Sequence, residues 1–231
     1  MKKLRLLSVS FDTHINPWDL PRFRGAVAQK VGYEHEWFHN HDNERGGFHQ
    51  RYPKIQYKLD THNGQQRPML LCIEEGVEEA HHFFSQPDWG LTIGARDHDM
   101  RIAKLDVHQY TLGVWDHDFL YRIHKWQALN SDNYAEWQRL NSLADRYRFL
   151  EETMASHILS FARGMDCDLE RRFEVRITRL QKEEWISYKG VKILAFTLEF
   201  KTNVSLPDWI GLGKGGSTGF GVVRRQSSNR N

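Results

Sequence analysis

Histidine is the residue whose abundance speaks first of chemistry: thirteen of the 231 positions carry it. Its imidazole exchanges protons near neutral pH, ligates metals and stacks on bases. His39-Asn40-His41 lies in a stretch rich in His, Asn and Gly, residues 32–51, that reads as a loop. His49 and Tyr52 follow it closely. His35-Glu36-Trp37-Phe38-His39 also spells H-E-x-x-H, which on an α-helix would aim two imidazoles at one zinc ion with Glu36 as base. That zinc-hydrolase alternative is the poorer fit. Gly32 lies just upstream, Asn40 and Asn43 disfavour a long helix, and the extended motif with a third His is absent. The histidines at 81, 82, 98, 108, 117 and 124 read as solvated faces of helices and strands.

The second chemical signal is Gly211-Leu-Gly-Lys-Gly-Gly-Ser-Thr-Gly-Phe-Gly221, which holds six of the chain's 17 glycines. Backbone free of Cβ atoms lets N–H groups converge on an anion. Lys214, Ser217 and Thr218 add a charge and two hydroxyls, and Arg224 continues the positive character. Gly211, Gly213, Gly215 and Gly216 are the expected backbone contacts. Neither familiar nucleotide motif fits. Gly211, Gly213 and Gly216 space as G-x-G-x-x-G, but no helix or acidic residue follows. Lys214 is followed by Gly215 where a P-loop needs Ser or Thr. The plainer reading is a glycine-rich turn before a last strand.

Pattern places these residues on elements. Strands are expected at 4–11, 52–59, 69–73 and 89–95, with helices at 20–31 and around 77–84, giving the β-α-β-β-α-β order of ferredoxin-like folds. On the strand at 52–59, Ile55, Tyr57 and Leu59 point one way and Lys54, Gln56 and Lys58 the other. Lys54 and Lys58 are thus expected on a face open to solvent or to a polyanion. Further on, strands are expected at 106–115 and 119–128. A long helix from Ser131 or Asp132 should carry an apolar stripe from Tyr134 to Phe161, and strands should follow at 173–180, 185–188 and 191–200. The fold class is α+β, with lobes at 1–97 and 98–231, the second less regular.

Composition narrows the rest. Charged residues make up 27% and hydrophobic ones 39%, which excludes disordered and fibrous classes. No apolar run reaches membrane length. Met1 to Phe11 reads as a strand, because Arg5 interrupts its apolar run and no cleavage site follows. Two cysteines are too few for a disulfide framework, which points to a reducing cytoplasm. A net charge of +2 means that any polyanion site is a local patch.

Four segments together resemble a known family. The loop Gly-Leu-Gly-Lys…Gly-Phe-Gly is similar to the glycine-rich loop of the repeat-associated (RAMP) RNA-binding superfamily of CRISPR systems. Arg24-Gly25-Ala26 resembles the Arg-Gly opening of its first helix, and Arg24 becomes a candidate RNA contact. His39-Asn40-His41 resembles the catalytic-loop histidines of the CRISPR repeat-processing endoribonucleases, and Tyr52-Pro-Lys-Ile-Gln-Tyr-Lys58 the strand that follows; the resemblance implies a catalytic histidine at His39 or His41 and a second proton-transfer group at His49 or Tyr52. The resemblance implies two ferredoxin-like (RRM-like) lobes in tandem, CRISPR repeat RNA as partner, and a CRISPR effector complex as a further partner. It implies cleavage within the repeat without metal or cofactor. The 2′-OH beside the scissile phosphate attacks, leaving a 2′,3′-cyclic phosphate and a 5′-OH. A non-catalytic RAMP RNA-binding subunit is the alternative within the same fold. Whether the chain is a monomer or a homodimer stays open.

Overall fold

The computed structural model describes residues 1–39 and 51–226, and the packing divides the chain into two units. The first comprises residues 3–110 together with 217–219 of the glycine loop; the second comprises 1–2, 111–216 and the segment from 220 onward.

In the first unit, β1 (Lys2–Phe11) leads through a 3₁₀ turn (Pro17–Asp19) into α1 (Leu20–Val31). The helix matches the expected span: Phe23, Val27 and Val31 are buried at helical spacing, and Gly32 stops it with φ +101°. After a second 3₁₀ turn (Glu36–Phe38) come β2 (Ile55–His62) and β3 (Gln65–Ile73), joined by Asn63 and Gly64, both at positive φ. β3 pairs antiparallel with both β1 and β2. Two short helices, α2 (Glu75–Glu79) and α3 (His81–Phe84), stand where one was expected. Phe11 is the hub of the core, edge-on to Phe23 and Phe83 at centroid distances of 6.1 and 6.0 Å.

The expected fourth strand is corrected here. Residues 89–95 form β4 (Gly90–Ile93), which pairs with β5 (Arg96–Asp99) in a separate hairpin. The place beside β1, in the order β2-β3-β1-β6, goes to β6 (Ile102–Trp126), whose residues 102–110 belong to this unit. The lobe boundary expected at 97/98 falls inside β5. Residues beyond it are tied to the first unit where Asp12 N–H donates to Arg101 O (2.7 Å) and Thr13 Oγ1 to Asp99 O (3.4 Å).

The second unit repeats the order. The later part of β6 is flanked by β8 (Val191–Ser205) and β9 (Val222–Arg225), and β7 (Val175–Tyr188) lies beyond β8, all antiparallel. Helices α4 (Ser131–Arg139) and α5 (Leu143–Gly164) follow β6. Both units thus carry an antiparallel ferredoxin-like strand order. The strands expected at 106–115 and 119–128 are one strand with a register shift between Val114 and Phe119, and those expected at 173–180 and 185–188 are likewise one, Val175–Tyr188, with bulges. The single long helix is two. Leu140 turns extended at ψ 115°, and Ser142 starts a new helix by accepting from Asp145 N–H (3.0 Å). Asn130 caps α4 through Asn133 N–H, one residue before the expected cap. The apolar stripe is buried from Leu150 through Met154 and Ile158 to Phe161, while Leu143 is exposed. Among the described residues, no helix is long and apolar enough to cross a membrane.

Candidate functional site

Three hydrogen bonds fix the chain as it reaches His39. The ring Nε2 of His39 bonds the carbonyl of Tyr33 (2.8 Å), which places the ring hydrogen on Nε2 in the neutral tautomer. Arg24, from α1, donates to the carbonyl of His39 itself. The hydroxyl of Tyr57, from β2, donates to the carbonyl of Phe38 (2.9 Å). Tyr57 is fully buried and edge-on to Phe23 at 5.6 Å, so this anchor rests on the core. Burial raises the Tyr57 hydroxyl above its ordinary pKa and keeps it a neutral donor. His39 is itself buried, with Tyr33 across its ring. His41 and His49 lie outside the described residues.

Tyr57 also reaches the glycine loop. Its N–H donates to Ser217 O (2.7 Å), and it forms a parallel bridge with Thr218. One residue of β2 therefore holds the loop tip by its backbone and the approach to His39 by its side chain. The sequence reading placed Tyr57 on the apolar face of its strand without a site role. A hydroxyl at a fully buried position was the available signal, since such a group needs a polar partner.

Arg51, Lys54 and Trp37 gather nearby. The guanidinium of Arg51 lies 3.9 Å from the Trp37 ring centroid and Lys54 Nζ 5.8 Å from it, while Lys54 pairs with Glu75. Tyr52 is half-buried beside them in sequence. Lys54 and Lys58 correct the expectation of an exposed basic face. Lys54, just before β2, is 7% exposed and Lys58 0%, because the chain is covered on both faces over 54–58. Lys58 as placed cannot reach an RNA phosphate.

Burial lowers the Lys58 ammonium pKa from 10.5 to about 7. Between these values the unfolded chain binds a proton that the folded one releases, so this group makes stability rise with pH from about 7 to about 10. The stability of wild type relative to Lys58→Met is expected to rise by up to about 1.4 kcal/mol per pH unit from pH 7 toward pH 10. Denaturant melts across this range check it; a difference independent of pH would contradict it.

The glycines of the loop answer first to the protein's own packing. A Cβ on Gly211 would lie 2.1 Å from Gly216 O, and one on Gly221 2.0 Å from Leu212 O. Gly213 and Gly215 sit at φ +77° and +74°. Packing alone thus requires glycine at these positions. Lys214 is exposed, with Nζ 5.8 Å from the Tyr188 ring centroid. Arg224 stacks on Trp209 at 3.7 Å.

The H-E-x-x-H segment is not helical in the way a zinc hydrolase needs. Glu36–Phe38 is a single 3₁₀ turn, with His39 turned to Tyr33 O and His35 to the ring of His82 at 3.7 Å.

Comparison with known proteins decides the family. The model for the Cas6b N-terminal domain matches residues 2–111, and that for the Cas6b C-terminal domain matches residues 113–226. The chain belongs to the Cas6b family. A crystal structure of a Cas6b superposes with a TM-score of 0.84 at 27% identity, covering 97% of this chain and 100% of that one. A second, described as a CRISPR RNA processing endoribonuclease Cas6b, shares the fold at TM-score 0.74, 22% identity and the same coverage. An uncharacterized protein of Methanocaldococcus jannaschii is 33% identical over 125 residues, which span 53% of this chain and 82% of that one. The RAMP-type fold expected from the four segments is thus found. The family-model junction at 111–113 lies beside the division of the packing at 110/111.

Proposed function

We propose that this chain cleaves precursor CRISPR RNA within the repeat, in the cytoplasm, without a metal ion. The observation that carries this reading is the match of both Cas6b domain models along nearly the whole chain. It is supported by the three hydrogen bonds that set His39 at the entrance to residues 40–50.

RNA brings its own nucleophile, so the enzyme supplies proton transfers and charge stabilisation. One imidazole of the His39/His41 pair takes the proton from the 2′-OH as it attacks phosphorus. The 5′-oxygen leaves as its P–O bond breaks and receives a proton from the acid, for which His49 and Tyr52 are further candidates. Two products result, a 2′,3′-cyclic phosphate and a 5′-OH. The bond from Nε2 of His39 to Tyr33 O fixes the orientation of its ring. Arg24 and Tyr57 position the segment through its carbonyls. Lys214, Arg224 and Ser217 supply charge and a donor for the RNA backbone, whereas the expected donor Thr218 is buried against β2.

The test is incubation of the protein with candidate repeat RNAs in EDTA. Cleavage at the rate seen without chelator is expected. Loss of cleavage restored by zinc would return the chemistry to a metal, and tight binding without cleavage under any condition would mark a non-catalytic RAMP subunit.

A further inference from the structure

The histidines outside the proposed chemistry converge at one point of the first unit. His35 stands at the start of the 3₁₀ turn Glu36–Phe38, Glu79 ends α2 and His82 is the second residue of α3. The His35 and His82 rings are in contact, with centroids 3.7 Å apart and planes 30° apart. His82 Nε2 lies 3.6 Å from Glu79 Oε2. One donor atom from each of the three residues falls within 4.8 Å of the others, a convergence unmatched among the described residues. All three side chains are half-buried, with 25%, 28% and 29% exposure for His35, Glu79 and His82.

We propose that His35, Glu79 and His82 form a binding site for a divalent transition metal of the zinc type. Two imidazoles and a carboxylate are a donor set of three-ligand zinc sites, with the fourth place left to water. Imidazole donors suit zinc, copper and nickel, whereas magnesium and calcium take all-oxygen surroundings. Glu79 and His82 are neighbours on one face by their three-residue spacing, so α2 and α3 present two donors together. His35 supplies the third from a segment remote in sequence. Zinc bonds of about 2.0–2.2 Å require the donors to close in, which rotation of half-exposed side chains permits. The His81 ring, its centroid 3.9 Å from that of His82, and Glu34, 4.0 Å from His35 Nε2, flank the triad.

The bound ion would clip the segment four residues before His39 to the α2–α3 pair. It takes no part in the proton transfers, so cleavage in EDTA and a zinc site are compatible. The inference stands on these three residues whether or not the ribonuclease reading holds.

The test is calorimetric titration of EDTA-treated, dialysed full-length protein with zinc chloride, with magnesium chloride for comparison. One saturable zinc site with micromolar or tighter affinity is expected, with no magnesium binding. Glu79→Gln and His82→Ala should each weaken zinc binding at least tenfold. His62→Ala, on the exposed end of β2, should leave it unchanged. Thermal melts in EDTA establish that each variant folds, and His35→Gln replaces any that does not. Cobalt(II) bound at the same site should show visible absorption bands that zinc displaces and His82→Ala abolishes. No saturable zinc binding, or wild-type affinity in the variants, would overturn the proposal. Several weak sites indifferent to the substitutions would overturn it equally.

Discussion

Replacing His39 and His41 together by alanine is expected to slow single-turnover cleavage of repeat RNA by on the order of a hundredfold or more, with RNA affinity little changed. A positioned acid or base acts on the transition state and adds little to ground-state binding, so the loss belongs in the rate. The single variants separate the roles. His39→Ala removes a proton carrier and also the bond to Tyr33 O that holds the segment. His39→Gln can keep a donor toward that carbonyl but cannot transfer a proton. If His39 is base or acid, the glutamine variant should be as slow as the alanine one; if it only positions, the rate should largely return. His35→Ala should leave the rate within a few-fold of wild type, the opposite of what an H-E-x-x-H hydrolase requires. Rapid-quench assays on end-labelled RNA read all four. A double variant cleaving at the wild-type rate would put the chemistry elsewhere.

Within the glycine loop, Gly221→Ala and Gly211→Ala are expected to destabilise by about 3 kcal/mol or more, enough to lower the melting temperature by ten degrees or so. The added methyl meets backbone oxygen at 2.0 and 2.1 Å, and Gly221 also sits at φ +58°. Backbone cannot swing aside as a side chain can. Gly25→Ala in α1 is the contrast, with nothing within 4 Å of the new Cβ, and should be neutral or slightly stabilising. Lys214→Ala should leave the melt unchanged, because the side chain is exposed. It should lower the slope of log K against log salt by roughly 0.7, one single-stranded phosphate contact. An unchanged slope would take Lys214 out of the RNA site, and an unshifted melt for Gly221→Ala would contradict the packing of the loop.

Local periodicity made much of the fold legible. Phe23, Val27 and Val31 marked α1, and the hairpins β2–β3 and β7–β8 turn through Asn63-Gly64 and Lys189-Gly190, with all four residues at positive φ. What failed depended on distant packing. The alternation in β2 predicted a wet face for Lys54 and Lys58, but a strand covered on both sides buries every residue whatever its type. The hairpin β4–β5 and the first residues of β6 compete for the same edge of the first sheet, and propensity cannot choose between them. The single helix of the second unit split because Ser142-x-x-Asp145 is a cap signal inside an apolar stripe. Residue type singled out His39 and the glycine loop as candidates. It did not single out Tyr57, since its importance lies in which carbonyls it reaches. The His35–Glu79–His82 convergence was equally hidden, because 44 residues separate its members.

The central claim is that the RNA supplies the nucleophile. Its most direct test is a repeat RNA carrying a single 2′-deoxyribose just upstream of the scissile phosphate, with binding measured beside cleavage. The expected result is wild-type affinity with no cleavage at that bond, while the all-ribose RNA gives a 2′,3′-cyclic phosphate and a 5′-OH. Undiminished cleavage of the deoxy substrate, or a 5′-phosphate product, would mean attack by water or a protein group and would contradict the account.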